Sequence, residues 1–489
     1  MADKKTNVGR MVTSGLFWTF GERIGAQLVS TIVTIILARL LEPSHYGIIS
    51  IVAVTIAFCD VFVSSGFGKA VIQKENAEDI DYNTAFIISE TAGIILYVIL
   101  LGVAPFIAKF FNEPLLTPVI RVMGIRIPIA ALNNIQQSFI QKHLQFRKFF
   151  FATLIGTVTS GIVGIIMAYM GAGVWALVAQ YLSNSIIDTI LLGIICGWKL
   201  GVQFSKKSAK NIISFGGRIL AGDLVDTTQR EMRTVLIGKV FGSADLAFYD
   251  QGLKFPKLFV NNLTTAVSKV MLPTFSEFQS EEKRLKEILR KSIHVGVFCV
   301  APIMFGLIGC AEKIVLVLFT QKWIACVPYI YIFSISYLTR PLETFCSQAI
   351  LSKGRSDITL LISIIINITA VFTVVVSVFI IKSVLWIALG VLISSLVSYV
   401  CHVIFSAKLI GYEFKEQIHD IMPPILSSLL MAIIVRGVGF LPINNLACLI
   451  LQILTGICSY VLFSRILKMA GYYYLKRLIG FYLSEIRRK

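Results

Sequence analysis

Four charged residues recur at helical spacing inside one apolar stretch of the sequence, residues 212–241. Asp223, Asp226, Arg230 and Arg233 fall within an arc of about 80° when the stretch is drawn as a helix with 100° per residue. Because charge inside an apolar span is costly, such residues usually face water or a partner group. One face of this predicted helix is therefore expected to be wet.

The next apolar stretch, residues 246–272, carries a longer polar stripe. Its members follow i, i+4, i+3 spacing along nearly the whole predicted helix: Asp250, Lys254, Lys257, Asn261, Thr264 and Ser268. Lys254 and Lys257 have too few acids nearby to be neutralised in pairs, which favours a role in lining a cavity. A stripe of this length predicts a continuous aqueous wall.

Three more arginines stand in other apolar stretches. Arg23 lies in the first of them, and Arg126 and Arg340 each have a proline nearby, Pro128 and Pro341, which can kink a span and open backbone groups to a cavity. The excess of charge is cationic, and the arginine fork suits phosphate, so an anionic ligand group is expected. The candidate binding residues are Arg23, Arg126, Arg230, Arg233, Lys254, Lys257 and Arg340. The candidates for charge pairing or for a coupling ion are Glu22, Asp60, Asp223, Asp226 and Asp250.

Several of these charges also admit a purely structural interpretation. Three pairs are close enough along the chain to neutralise each other: Asp226 with Arg230, Glu22 with Arg23, and Arg340 with Glu343. Arg39 and Lys239 lie near predicted helix ends, where long cationic side chains reach the interface. Asp60, Glu90 and Asp188 are isolated acids in apolar stretches, and each is a candidate either for a coupling ion or for a hydrogen-bonded core position.

The elements that must position these residues are membrane-spanning helices. Hydrophobic residues make up 56% of the 489 residues and charged residues 15%, and the mean hydropathy is +0.80, as is typical of integral membrane proteins. A spanning segment needs about 20 apolar residues and must be helical, because lipid offers the backbone no partners. Fourteen stretches meet this requirement, at residues 12–41, 46–68, 83–109, 117–140, 150–170, 174–196, 212–241, 246–272, 292–319, 327–351, 358–381, 384–407, 420–439 and 446–466. The predicted fold is an all-α polytopic membrane protein.

The distribution of lysine and arginine predicts the orientation. One set of short loops carries most of these residues, whereas the opposite loops hold little beyond Lys322 and Lys382. Positively charged loops resist translocation, so both termini are expected in the cytoplasm. Basic loops facing the anionic inner leaflet also account for most of the net charge of +18 without nucleic acid as a partner.

The sequence repeats itself weakly. ARLLEPSHYGIIS at 38–50 aligns with GKVFGSADLAFYD at 238–250, and QSFIQK at 137–142 aligns with QAILSK at 348–353. Each offset corresponds to six spans, so the two repeats insert in the same orientation, as in some secondary transporters that bind substrate between repeats. The expected organisation is a six-helix lobe at 1–200, a second at 201–410, and an appended helix pair with a basic tail at 411–489.

Motifs of soluble catalysis and of metal binding are missing from the sequence. It has no G-x-x-x-x-G-K-[ST], H-E-x-x-H or G-x-S-x-G pattern, and its nine cysteines include no C-x-x-C pair. The predicted outer loops are too short to hold the active site of a membrane polymerase. The mixed-charge segment 275–292 predicts a cytoplasmic amphipathic helix joining two spans. We expect neither an enzyme nor a bound cofactor or metal.

Nine segments together resemble one transporter family. They are SGLFWTFGERIGAQLVSTIVTIILARLLEPSHYGIIS at 14–50, AVIQK at 70–74, FFNEPLL at 110–116, LQFRK at 144–148, VWALVAQ at 174–180, GW at 197–198, SFGG at 214–217, LIGKVFGSADLAFYDQG at 236–252 and LPTFSEFQ at 272–279. In this order and spacing they resemble bacterial polysaccharide transporters, the Wzx-type flippases of the multidrug/oligosaccharidyl-lipid/polysaccharide superfamily. The resemblance covers residues 10 to about 410, and hydropathy alone extends it over the last two spans.

The resemblance implies a carrier of the bacterial inner membrane that moves undecaprenyl-diphosphate-linked oligosaccharide to the outer leaflet by alternating access. The cationic residues would then hold the diphosphate or acidic sugars, and the acids would pair with them or take Na⁺ or H⁺. Partners implied are membrane lipids, a polysaccharide polymerase and the chain-length machinery. A lipid II flippase and a multidrug/cation antiporter of the same superfamily are the alternatives, although a cationic cavity would repel cationic drugs. The extra pair of spans after residue 418 resembles the pair that forms a polyprenyl groove in lipid II flippases.

Overall fold

The computed structural model of the protein describes residues 25–64, 66–74, 77–143, 145–198, 200–469, 471–473 and 476. These residues form helices and turns, and no strand occurs among them. Two candidate site residues, Glu22 and Arg23, lie outside the described residues. The chain separates into two compact units, Met1–Ala247 and Phe248–Lys489.

Unit 1 contains nine described helices. They are α1 (Gly25–Leu40), α2 (Pro43–Ser64), α3 (Phe67–Gln73), α4 (Asp79–Phe111), α5 (Leu116–Met123), α6 (Arg126–Lys142), α7 (Phe146–Tyr169), α8 (Val174–Ile195) and α9 (Lys206–Val240). One of its cores lies where α3, α4, α6 and α8 meet around Tyr82 and Trp198, whose rings are 6.3 Å apart.

Unit 2 begins within α10 (Ser243–Glu277). It continues with α11 (Glu282–Leu318), α12 (Val327–Leu338), α13 (Arg340–Ser352), α14 (Ser356–Val375), α15 (Val384–Ile410), α16 (Phe414–Val438) and α17 (Asn445–Ile466). A 3-10 turn over Gln321–Cys326 precedes α12, and α14 ends in a π-helical segment, Val376–Ile381. Buried side chains of α11, α16 and α17, including Phe298, Val435 and Tyr460, share one apolar cluster. The last two helices are therefore part of the core of unit 2.

Ten helical stretches of the described chain are long and apolar enough to cross a membrane. The other four predicted spans fall on α1, α9, α10 and the pair α12 and α13. Helices α9 and α10 have 35 residues each, about 50 Å at 1.5 Å per residue, but they carry the charged stripes and are less apolar. The count of fourteen spans stays a prediction, as does the division of the chain at residues 200 and 410.

The sequence repeat has a structural counterpart in the helix boundaries. Helix α1 ends at Leu40 and α2 begins at Pro43, and α9 ends at Val240 and α10 begins at Ser243. The two turns are equally short and lie at the offset of 200 residues that the aligned segments predict. The repeat thus preserves the place and the length of this connection.

Two predicted spans are broken, each beside its proline. The stretch 117–140 is divided at Gly124 and Ile125 into α5 and α6, and the stretch 327–351 is divided at Thr339 into α12 and α13. Pro128 and Pro341 then lie in the first turns of α6 and α13, where a missing N–H costs nothing because that group has no intrahelical acceptor. Both breaks lie beside the prolines at which the sequence analysis allowed a kink, and Arg126 and Arg340 each become the first residue of the second half.

The segment 275–292 is helical and amphipathic from Glu282 onward, but it is not a helix of its own. Helix α10 ends at Glu277, and α11 begins at Glu282 and continues to Leu318 as one helix of 37 residues. The apolar residues of this segment, such as Leu285 and Leu289, are fully buried in the core of unit 2 together with Phe275. Because its apolar face is covered by protein, the segment continues the spanning helix.

Candidate functional site

In unit 1, Asp60 and Arg126 lie close enough for their charges to interact. Asp60 lies in the second half of α2, and Arg126 begins α6 directly after the turn at Gly124 and Ile125. The charge of Arg126 attracts the carboxylate of Asp60 and also acts on the hydroxyl of Tyr181 in α8. One carboxylate oxygen of Asp60, Oδ1, is buried and accepts no hydrogen bond from the described residues. This arrangement leaves an acceptor open beside an arginine.

Unit 1 also contains neutral polar side chains that hydrogen-bond to one another. Gln137 donates from Nε2 to Asn133 Oδ1 at 2.5 Å, and Asn133 donates from Nδ2 to Thr189 Oγ1 at 3.1 Å, so that α6 and α8 are connected by hydrogen bonds. A cavity of about 340 Å³ lies between α1, α7 and α8. Amides and hydroxyls dominate its lining, which consists of Ala26, Gln27, Ser30, Thr157, Ser160, Gln180, Tyr181 and Asn184. The interior of unit 1 is thus polar as well as charged.

The stripe on α9 is only partly neutralised. Asp223 Oδ2 lies 3.4 Å from Lys69 Nζ of α3. Arg230 Nε donates to Glu231 at 2.9 Å, so the structure pairs Arg230 with Glu231 and not with Asp226. The Nε atom of Arg233 is buried and has no hydrogen-bond partner among the described residues. Helix α9 therefore keeps a cation with unused donor capacity.

The stripe on α10 carries two exposed lysines. The charge of Asp250 acts on Lys254, one turn further along the helix. Lys257 is also exposed, and no ion pair of this residue is found among the described residues. Asn261 continues the exposed face. The continuous aqueous wall expected along this helix stays a prediction.

Arg340 takes part in a pair and remains half exposed. Its Nη1 lies 3.6 Å from Glu343 Oε2, and its guanidinium lies 5.7 Å from the ring centroid of Tyr337. Glu343 is buried, and its Oε1 accepts a hydrogen bond of 2.6 Å from Thr339. The structural interpretation therefore holds for Glu343, while half of the Arg340 side chain stays accessible for a ligand.

One well-formed ion pair was not identified from the sequence. Arg290 of α11 donates from Nε and Nη2 to the two carboxylate oxygens of Asp420 in α16, at 2.5 and 2.7 Å. Tyr412 donates to the same carboxylate at 2.8 Å, and Lys286 lies 2.7 Å from Glu416 one turn away. We call these residues the α11–α16 clasp. Asp420 stands at the first position of a predicted span, where an acid is unremarkable, and its partner is 130 residues earlier.

Comparison with known proteins assigns the family. A family model described as "Polysaccharide biosynthesis protein" matches residues 36–328. The chain belongs to the polysaccharide biosynthesis protein family. The resemblance to Wzx-type polysaccharide transporters is thereby confirmed.

Two curated relatives illustrate the range of this family. The teichuronic acid biosynthesis protein TuaB of Bacillus subtilis is 23% identical over 354 residues, which cover 72% of this chain and 73% of TuaB. The lipopolysaccharide biosynthesis protein WzxC of Escherichia coli is 22% identical over 332 residues, 66% of each chain. Both names refer to the production of cell-envelope polysaccharides.

Among solved structures, the lipid II flippase MurJ in an inward closed conformation has the same fold as this polysaccharide biosynthesis protein. The TM-score is 0.73 at 15% sequence identity, and the match covers 92% of this chain and 98% of MurJ. The predicted all-α polytopic membrane fold is confirmed. On that fold, the cations of α6, α9, α10 and α13 are donors suited to phosphate or carboxylate oxygens.

Proposed function

We propose that the protein is a flippase for undecaprenyl-diphosphate-linked oligosaccharide repeat units, the precursors of an exopolysaccharide or lipopolysaccharide. It carries them from the cytoplasmic to the outer leaflet of the bacterial inner membrane by alternating access, with both of its termini in the cytoplasm. The observation that carries this proposal is the set of cations with spare donors, Arg233 and Lys257 above all, on long helices of a chain with the flippase fold. Membership of the polysaccharide biosynthesis family supports a glycan as the cargo.

The diphosphate supplies the charge that these residues need. A diphosphate brings several acceptor oxygens, and guanidinium and ammonium groups bind such oxygens through short, charge-assisted hydrogen bonds. Arg126, Arg230, Arg233, Lys254, Lys257 and Arg340 are the proposed ligands among the described residues, together with Arg23. Asp60, Asp223, Asp226 and Asp250, with Glu22, are proposed to balance the cations when no substrate is bound, or to take Na⁺ or H⁺.

The alternative functions fit these charges less well. A multidrug antiporter for cationic compounds would have to bind them beside Lys254 and Lys257, where like charges repel. A lipid II flippase would use the same diphosphate chemistry and differs in the glycan. Family membership favours a polysaccharide repeat unit over lipid II.

The experiment that tests this function is deletion of the gene followed by chemical analysis of two glycan pools. We expect loss of one surface polysaccharide and accumulation of its lipid-linked unit in the butanol-extractable polyprenyl fraction, both restored by the wild-type gene. Because a blocked flippase leaves its substrate on the inner leaflet, the accumulated lipid should resist an enzyme added from outside. Normal surface polysaccharide together with altered drug tolerance would overturn the proposal.

A further inference from the structure

An apolar groove runs along unit 1 between α2, α4 and α9. Its volume is about 520 Å³, and Phe58, Cys59, Val103, Phe110 and Val235 are among the residues that line it. No charged residue occurs among the described residues of its lining. A groove of this composition is suited to a hydrocarbon chain and not to a sugar.

The length of the groove corresponds to one leaflet of a membrane. Helix α4 lines it from Leu96 to Phe111, which is about 22 Å at 1.5 Å per residue. Half of the hydrocarbon core is about 15 Å, and the adjoining headgroup layer adds about 6 Å. The groove therefore reaches from the middle of the membrane to the surface at the Phe111 end, which the lysine and arginine distribution predicts to be the outer surface.

A cation stands where the groove meets that surface. At Gly238, helix α9 approaches the groove so closely that an added Cβ would lie 3.1 Å from Ile51 Cγ1 and 3.3 Å from Phe111 Cε1. The next residue, Lys239, has its Nζ 4.9 Å from the ring centroid of Phe110 and donates to the carbonyl oxygen of that residue. An ammonium at the surface end of an apolar groove complements a lipid with an anionic headgroup.

The helices that form the groove also carry charged candidates of the binding site. In α2, Cys59 lines the groove, and the next residue, Asp60, is attracted to Arg126. In α9, Val235 lines the groove, and Arg233 lies about 200° around the same helix. Arg233 therefore lies on the far side of α9 from a lipid in the groove.

We propose that this groove holds the isoprenoid tail of the lipid-linked substrate in the outer leaflet, at a stage when the diphosphate is not bound to the cations named under the proposed function and lies beside Lys239. The inference rests on the proposed function. It places the tail in unit 1 and not in the C-terminal helix pair. The tail stays in contact with apolar side chains while α2 and α9 keep it apart from the charged residues.

Two valines of α4 provide a matched test. Val103 lines the groove and is 41% exposed, whereas Val98 is 61% exposed on the same helix and does not line it. The variants Val103→Trp and Val98→Trp are prepared in nanodiscs, and the binding of undecaprenyl phosphate and of phosphatidylglycerol is measured by native mass spectrometry. We expect Val103→Trp to weaken undecaprenyl phosphate binding at least tenfold, and Val98→Trp to bind like the wild type, with phosphatidylglycerol binding unchanged in both.

Three results would overturn the proposal that the groove holds the isoprenoid tail. These are equal undecaprenyl phosphate binding by the two variants, no binding by the wild type, or equal loss of both lipids in Val103→Trp, which would indicate an ordinary phospholipid site. If Val103→Trp does not fold, Val235→Phe fills the same groove from α9, and the same expectations apply. Failure of the proposed function is recognised separately, because deletion of the gene would then leave the surface glycan normal whatever the binding data show.

Discussion

At the scale of single residues, the lysines of α10 matter most because they are exposed on a membrane helix with few acids nearby. Lys254 and Lys257 lie one turn apart, and Asp250 acts on Lys254 from the preceding turn. If both lysines hold the diphosphate, their replacement removes two charge-assisted hydrogen bonds, each worth about 1.5 to 3 kcal/mol. Since 1.4 kcal/mol corresponds to about tenfold in binding, the effect on transport should be large.

The first residue-scale prediction is that Lys254→Gln with Lys257→Gln abolishes export while the protein reaches the membrane in normal amounts. Surface polysaccharide is measured in a deletion strain that carries each variant. The control is Lys206→Gln with Lys207→Gln, two exposed lysines in the first turn of α9, which should export like the wild type. Wild-type export by the Lys254 and Lys257 variant would show that these lysines do not hold the substrate.

Residues also show how far the sequence could anticipate the candidate site. The charged stripes of α9 and α10 follow from helical periodicity, which is local. The partners of Asp223 and Arg290 lie 154 and 130 residues away in the chain, and a single sequence carries no signal for such contacts. Glu231 is the neighbour of Arg230, and adjacent residues on a helix point in different directions, so periodicity favours Asp226 and misses the actual partner.

At the scale of helices, α9 crosses the break between α2 and α3 so closely that residue 66 has no room for a side chain. A Cβ added at Gly66 would lie 2.3 Å from Gly216 Cα, which is backbone and cannot rotate away. Gly217 is the next residue of the SFGG segment, and a Cβ added there meets nothing within 4 Å. The two glycines of this segment therefore differ in their structural role.

We accordingly predict that Gly66→Ala destabilises the protein by about 1 to 3 kcal/mol, because α9 must move away from the break. Gly217→Ala serves as the control and should be neutral or stabilising by up to about 1 kcal/mol, since alanine favours a helix over glycine. Thermal unfolding of the purified variants in detergent measures both effects. Equal melting temperatures for the wild type and Gly66→Ala would mean that the helices do not pack this closely.

The helices that could be predicted are those whose pattern is uniform along the span. The breaks beside Pro128 and Pro341 could also be predicted from the sequence, because a proline disrupts the hydrogen bonding of the helix that contains it. The structure of segment 275–292 could not be predicted, because the same amphipathic pattern suits a helix on the membrane surface and the first turns of a spanning helix. The burial of Leu285 and Leu289 against Phe275 decides between them, and that contact depends on tertiary structure.

At the scale of the whole molecule, the orientation in the membrane is a prediction that fusion proteins can test. The lysine and arginine distribution predicts a cytoplasmic C-terminus and an outer position for the loop at Lys382. We predict that a fluorescent protein fused after residue 489 is fluorescent, and that alkaline phosphatase inserted after Lys382 is active. A C-terminal fusion without fluorescence, or an inactive phosphatase after Lys382, would contradict the predicted orientation.

The α11–α16 clasp bears on where this chain can be cut. The aligned repeats end before residue 411, which makes the last two helices look like an optional addition. Yet the carboxylate of Asp420 accepts hydrogen bonds from Nε and Nη2 of Arg290, and Val435 and Tyr460 share an apolar cluster with Phe298. A chain that ends at residue 410 would leave the guanidinium of Arg290 without the carboxylate of Asp420. The apolar residues of α11 around Phe298 would then lack their cover. The natural boundary for truncation or domain exchange therefore lies outside the helix pair. A version of the chain with twelve helices would need another acidic residue to pair with Arg290.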